Sequence, residues 1–213
     1  MNVRWKIAQA AEIRWWQRYL KNKEPKAYLN WKIRYWQDLL QQAEVAPHPG
    51  ERVLDAGCGP AGIFMVLQQQ QVDALDPLLD RYASDLAHFA PTSYPHTRFH
   101  ALPLEQFDAK ATYDRVFCLN AINHVADLGL CFDRLIAATK PGGQLLVSID
   151  AHNFRLLKSI FRLLPGDILH PHQYDLEEYQ QMLLQRGCQI ERTVLLKKAF
   201  IFDYYLMVAR KGQ

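Results

Sequence analysis

The chain has no closely spaced cysteine pair, no long apolar run and little net charge, and each shortage closes off a class of protein. Its four cysteines, Cys58, Cys118, Cys131 and Cys188, stand far apart, so neither a zinc site nor a disulfide framework is expected and no metal is assigned. No apolar stretch reaches the roughly 18 residues of a membrane span. The first residues lack the apolar stretch and cleavage site of a secretion signal, and a cytoplasmic location is expected. A net charge of +3 over 213 residues does not imply a nucleic-acid partner by itself. Internal repeats are absent. What is present, 49% hydrophobic and 22% charged residues, is the composition of a soluble globular chain long enough to bury a core.

Two helices open the chain. Trp5, Ala8, Glu12, Trp15, Trp16 and Tyr19 follow a period near 3.6 with Glu12 as the one polar member, and Leu29, Ile33, Trp36 and Leu40 repeat at helical spacing. Pro25 suits the first turn of the second helix. "APHPGE" (46–51) breaks the pattern, dividing a helical extension (1–46) from the main domain (47–213). Strand-like runs then alternate with helical ones: strands over 52–56, 72–76, 97–101, 113–120 and 144–150, and helices over 62–70, 78–89 and 128–139. That alternation predicts a mostly parallel sheet with right-handed crossovers. A helix is expected over 154–164 and another over 176–186, with Asp175 and Glu178 forming a capping box. The runs 189–196 and 199–210, joined at Lys197-Lys198, read as a closing hairpin.

"VLDAGCGPAG" (53–62) follows the first strand and carries Gly57-x-Gly59-x-x-Gly62. Asp76 lies 19 residues after Gly57, at the end of the second strand. This is the fingerprint of a nucleoside-containing ligand, with glycines for the turn and an acid for a ribose hydroxyl. Asp55 narrows the choice. A carboxylate about 4 Å from a pyrophosphate costs a few kcal/mol at intermediate dielectric, whereas a cationic group there gains.

"VLDAGCGPAG", "VDALDP", "YDRVFCLNAINHV" and "KPGGQLLVSI" together resemble a class I S-adenosylmethionine-dependent methyltransferase. The resemblance covers residues 50–211. It implies a Rossmann-like α/β fold with a seven-stranded sheet in the order 3-2-1-4-5-7-6, strand 7 antiparallel, and helices on both faces. It implies S-adenosyl-L-methionine as cofactor, with Asp55, Gly57, Cys58 and Gly59 lining the methionine part, Asp76 on the ribose, Pro77 along the adenosine and Asn120 beside the methyl group. Many relatives hold the adenine amino group with an Asp after strand 3. "HALPLEQF" (100–107) has Pro103-Leu104 there, which leaves the Leu104 backbone N–H or the Glu105 carboxylate to do it.

The acceptor is expected beyond strand 4, where Asn120, Asn123 and His124 lie. His124 is the candidate catalytic group, with a capped helix start as its structural alternative. His170, His172 and Tyr174 form a second group, with His172 assigned to the acceptor pocket, and His152 is a further candidate. In the resembling family, residues ahead of strand 1 fold over the cofactor, which makes Tyr28 and Trp31 candidate pocket residues. Residues 1–43 hold all five tryptophans and nine Lys/Arg against three Asp/Glu, a face compatible with peripheral membrane contact. The expected activity is methylation of an oxygen or nitrogen of a small molecule. The alternatives are a non-catalytic subunit that binds the cofactor, an RNA- or lipid-directed methyltransferase using the N-terminal helices, and a nicotinamide-dependent oxidoreductase. "NAIN" is not the Asn/Asp-Pro-Pro-aromatic motif of amino-directed nucleic-acid methyltransferases, so nucleic acid is disfavoured.

Overall fold

The computed structural model describes residues 3–152, 174–199 and 202–213. Helices α1 (Val3–Leu20) and α2 (Pro25–Gln42) lead into β1 (Arg52–Ala56), β2 (Gln71–Leu75), α3 (Leu79–Asp85), β3 (Thr97–His100) and β4 (Tyr113–Cys118). Then come α4 (Leu128–Ala138), β5 (Thr139–His152), α5 (Leu176–Leu184), β6 (Cys188–Lys197) and β7 (Phe202–Lys211). The strands form one sheet in the order β3-β2-β1-β4-β5-β7-β6. All pairs from β3 to β5 are parallel, and β7 runs antiparallel between β5 and β6. The expected order and closing hairpin are both present.

Strand alternation sends side chains to two cores. On β1, Val53 faces the core beneath α1, α2 and α3, while Leu54 faces the one beneath α4 and α5. The N-terminal helices share the first core: Ile13, Leu20, Tyr28, Trp36 and Leu39 pack with Val53, Ile63 and Phe64. Arg192 on β6 donates to Ala43 O (2.6 Å) and pairs with Glu44 (2.7 Å), which ties the end of α2 to the far edge of the sheet. Glu24 caps α2 by accepting from Lys26 and Ala27 N–H, with Pro25 in the first turn. The capping box of Asp175 and Glu178 is formed at α5.

Four readings are corrected. The helix over 62–70 is replaced by two 3₁₀ turns, Gly59–Ala61 and Ile63–Val66. Their backbone groups bond elsewhere: Trp36 Nε1 donates to Ala61 O (2.9 Å) and Phe64 N–H donates to Asp55 (3.1 Å). The helix over 78–89 shortens to Leu79–Asp85 because Leu86 turns extended. Residues 121–125 are not the start of α4, which begins at Leu128 with Asp127 as its cap (Leu130 N–H to Oδ1, 2.9 Å). His152, which the sequence places just beyond a fifth strand ending at residue 150, is the last residue of β5. The helix expected over 154–164 lies outside the described residues.

Candidate functional site

The glycine turn sits on the tip of β1. Gly57 (φ +72°) and Gly59 (φ +57°) hold left-handed conformations that cost other residues about 1–2 kcal/mol. Gly57 and Cys58 N–H both donate to Leu75 O, at 2.8 and 3.1 Å, laying the turn over the end of β2. Asp55 lies beneath the turn and not at its mouth. It is 2% exposed, its Oδ2 accepts from Phe64 N–H, and a Cβ on Gly62 would fall 2.4 Å from that oxygen.

Asp76, at the tip of β2, accepts from Gly59 N–H (Oδ2, 3.1 Å) and Leu78 N–H (Oδ1, 2.9 Å). The Tyr82 hydroxyl also bonds to it and lies 3.3 Å from Glu12 Oε1, so α1 brings a second carboxyl group to the ribose candidate. Burial pushes the Asp76 carboxyl up to about 7, and the charge of Glu12 pushes the same way. Burial raises Asp55 to about 7 against the opposing pull of the Phe64 and Ile63 amides and the Lys32 ammonium. Trp16 completes the cover: its ring lies 3.7 Å from where a Cβ of Gly59 would be and meets Tyr82 edge to face at 6.2 Å.

Across the crevice, the tips of β4, β5 and β7 share a polar cluster. Asn120 is held at φ +56° with its N–H donating to Ser148 Oγ (2.7 Å). The Tyr204 hydroxyl donates to Asn120 Oδ1 and stands 2.8 Å from Ser148 Oγ. Tyr35 of α2 hydrogen-bonds to Tyr204, whose phenol burial pushes well up. Beside Tyr35, the Lys32 ammonium lies 4.1 Å from the Trp36 ring centre and 4.8 Å from that of Tyr35.

The other candidates are distributed unevenly. Cys58 is buried with its thiol pushed well up by burial, which suits a spacer and not a nucleophile. Pro77 is half-buried beside Asp76, and Leu104 is buried. Glu105 is occupied elsewhere: its Oε1 accepts from Ala126 N–H (2.8 Å), bracing the loop before α4. Asn123 is buried and donates to Asp150 O (3.2 Å), whereas His124 is exposed on a 3₁₀ turn. Tyr28 is buried among Tyr19, Trp31 and His88, and Trp31 is 45% exposed. His170 and His172 lie outside the described residues. Sequence reading missed Trp16, Lys32, Tyr35, Tyr82 and Tyr204. It noted Glu12 only as the polar member of an apolar face, which was the signal that this acid meets a polar partner in the fold.

The strand order reverses between β1 and β4, and such a switch point opens a crevice for a ligand. The turn leads into 3₁₀ segments that offer no α-helix N-terminus to receive a dinucleotide's phosphates, and the Asp55 carboxyl buried beneath it adds negative charge where they would lie. A cationic nucleoside suits the same groups. The class defined by this crevice and by the antiparallel β7 is that of the class I S-adenosylmethionine-dependent methyltransferases. A family model described as a methyltransferase domain matches residues 28–193, well over half of the chain, and the chain belongs to that family.

Relatives and solved structures add detail. The chain is 31% identical over 109 residues to a ubiquinone biosynthesis O-methyltransferase of Nitrobacter winogradskyi, covering 50% of this chain and 41% of that protein. The match to its counterpart in Bradyrhizobium diazoefficiens is 31% over 108 residues, covering 50% and 42%. The matches thus span about two fifths of those relatives' length. Burkholderia thailandensis 1,6-didemethyltoxoflavin-N1-methyltransferase, solved with 1,6-didemethyltoxoflavin and S-adenosylhomocysteine, shares the fold (TM-score 0.67, 17% identity, 100% of this chain and 92% of that one). So does the cyclase SpnF (TM-score 0.66, 15% identity, 84% and 80%), so the fold alone does not set the reaction.

Proposed function

We propose that the chain transfers a methyl group from S-adenosylmethionine to an oxygen or nitrogen of a small-molecule acceptor. One juxtaposition carries this reading: the buried Asp76 and the glycine turn on one side of the crevice, and the Asn120–Ser148–Tyr204–Tyr35 cluster on the other. The O-methyltransferase relatives favour oxygen. Among the described residues no helix is long and apolar enough to cross a membrane, which is compatible with work in the cytoplasm.

When bound, the cofactor supplies a methyl group already activated by its sulfonium. The protein's part is therefore to bind, align and exclude water. Asp76 would accept from ribose hydroxyls, and the turn at Gly57–Gly59 would admit the methionine part at close range. Asp55 would act from below the turn as a negative field whenever it is ionised. Trp16 and Glu12 of α1 would cover the nucleoside. Asn120 and Tyr204 stand where the acceptor would meet the methyl group, with Asn123 bracing their loop. His124 is a candidate base from the solvent side, and Trp31 edges the entrance that Tyr28 supports. His124→Ala is expected to slow transfer several-fold with cofactor affinity unchanged; an unaltered rate returns His124 to a structural role.

The raised carboxyls give a pH dependence. A cationic ligand favours the ionised Asp55 and Asp76, which are about half protonated near pH 7 in the free protein. Binding below that pH must expel protons, so affinity is expected to fall about tenfold per pH unit for each linked group below pH 7 and to level off above pH 8. Calorimetry at pH 6 and pH 8, in buffers of different ionisation heat, reads both the affinity and the proton release. A flat profile removes this electrostatic account.

Turnover is tested by incubating the protein with isotope-labelled methyl donor and a metabolite extract, then finding the labelled product by mass spectrometry. A labelled small molecule supports the reading. Donor binding without any labelled product supports the non-catalytic subunit, and absence of donor binding overturns both.

A further inference from the structure

Lys32 is a long cationic side chain, half-buried, whose head lies among aromatic rings. A lysine on a helix surface normally runs its stem along apolar neighbours and leaves its ammonium in water. Here the head lies 4.1 Å from the ring centre of Trp36, 4.8 Å from that of Tyr35 and 5.8 Å from that of Trp31. Trp36 is itself fixed by its bond to Ala61 O on the glycine turn, so the box is built onto the candidate site. A methionine would fill this space without a buried charge to desolvate. The groups whose charge or ring acts on the ammonium are Asp55 from β1, Tyr35 from its own helix and, through Tyr35, Tyr204 from β7 with Asp150 behind it.

We infer that Lys32 is the acceptor-binding residue of this crevice and takes the proton of an acidic hydroxyl, phenolic or enolic, held between Asp55 and the Tyr35–Tyr204 pair. The inference rests on the methyltransferase reading and names its substrate class. The hydroxyl proton passes to the neutral amine of Lys32 and leaves an oxyanion beside the new ammonium. The oxygen lone pair then forms the bond to the methyl carbon as the carbon–sulfur bond breaks, with its electrons staying on sulfur. Charge balances: the sulfonium becomes a neutral thioether, and the proton stays on Lys32 until solvent takes it. An amine acceptor fits less well, because at neutral pH most of it arrives as a cation while most of Lys32 is also still charged, whereas a neutral hydroxyl meets no such repulsion and yields its proton to the minor neutral form of Lys32. A simple alcohol is too weak an acid to give up its proton here.

Burial brings Lys32 down to about 8 against the opposing charge of Asp55. A general base with its midpoint near working pH is favourable. A phenol ordinarily titrates near 10, so the ion pair closes a gap of about two units. Activity toward a phenolic acceptor is expected to rise up to about pH 8 and then flatten, and with Lys32→Met the rising limb moves toward about 10.

The direct test needs no turnover. para-Nitrophenol, whose visible absorbance reports its ionisation, is titrated on the wild-type chain and on Lys32→Met and Lys32→Gln, with calorimetric cofactor affinity measured in parallel. On the wild type, the bound probe is expected to ionise at least tenfold more readily than on either variant. Equal ionisation on all three proteins overturns the inference. So does a several-fold gain in cofactor affinity in the variants, because Lys32 would then be standing in the cofactor's own place. If the wild type ionises the probe but binds no cofactor, the acidic-hydroxyl site stands and the methyltransferase reading is what fails. Should one variant fail to fold, the other carries the comparison.

Discussion

Asp76→Ala is expected to weaken cofactor affinity by about two to four orders of magnitude while leaving a folded protein. Two charge-assisted hydrogen bonds to ribose hydroxyls contribute about 1.5–3 kcal/mol each, and that sum is the stated loss of affinity. Stability responds differently. The Asp76 carboxyl is raised to about 7 in the fold from about 3.9 in the unfolded chain. The folded state therefore binds the extra proton between those values, and stability falls as pH rises through that window. The cost is absent below the lower value and complete above the upper one, at roughly 4 kcal/mol by linkage. Alanine removes that cost but deprives Gly59 and Leu78 N–H of their acceptor, a loss of about 1–3 kcal/mol each. The two effects are of similar size, so the melting temperature is expected to move by only a few degrees. Asp76→Asn, which keeps an acceptor oxygen, is expected to fall between the two proteins in affinity. Calorimetry paired with thermal melts reads both quantities, and an affinity equal to wild type removes Asp76 from the ribose.

Asp76 and Gly57 were legible in the sequence because their chemistry depends on chain neighbours. A turn at a strand tip and an acid at the next tip are set by local spacing, and parallel pairing of β1 with β2 brings them together. The sheet order followed from the resemblance, and the alternation of helices and strands agreed with it. What did not show was anything that depends on how α1 and α2 lie across the sheet. Lys32 reads as one more surface lysine until α2 is docked by Trp36, and Tyr204 reads as one strand residue among several until Tyr35 reaches it. The 3₁₀ turns after Gly59 were missed for the same reason. Local propensity favours a helix there, but a tryptophan 25 positions away takes the Ala61 carbonyl. Glu12 is the instructive exception. One acid on an apolar helical face is a visible misfit, and misfits of that kind mark function more often than error.

Gly57→Ala is expected to be strongly destabilising, and its damage can be divided in two. The left-handed backbone at φ +72° costs an alanine about 1–2 kcal/mol. The added Cβ would also lie 2.3 Å from the Cβ of Ala121 on the loop after β4, an overpacking that costs about 1–3 kcal/mol or more. Together these reach about 2–5 kcal/mol, a large share of the roughly 5–15 kcal/mol by which domains are stable. At about 2–4 °C per kcal/mol for a chain of this size, the melting temperature is expected to drop by about 4 to 20 °C. Ala121→Gly removes the atom that is struck and not the backbone cost. The double variant should therefore recover the packing part alone and remain about 1–2 kcal/mol below Ala121→Gly by itself. Denaturant midpoints on the four proteins close the cycle. Additive effects would mean that the two loops do not touch at Gly57, and the crevice between the tips of β1 and β4 would then need a different wall.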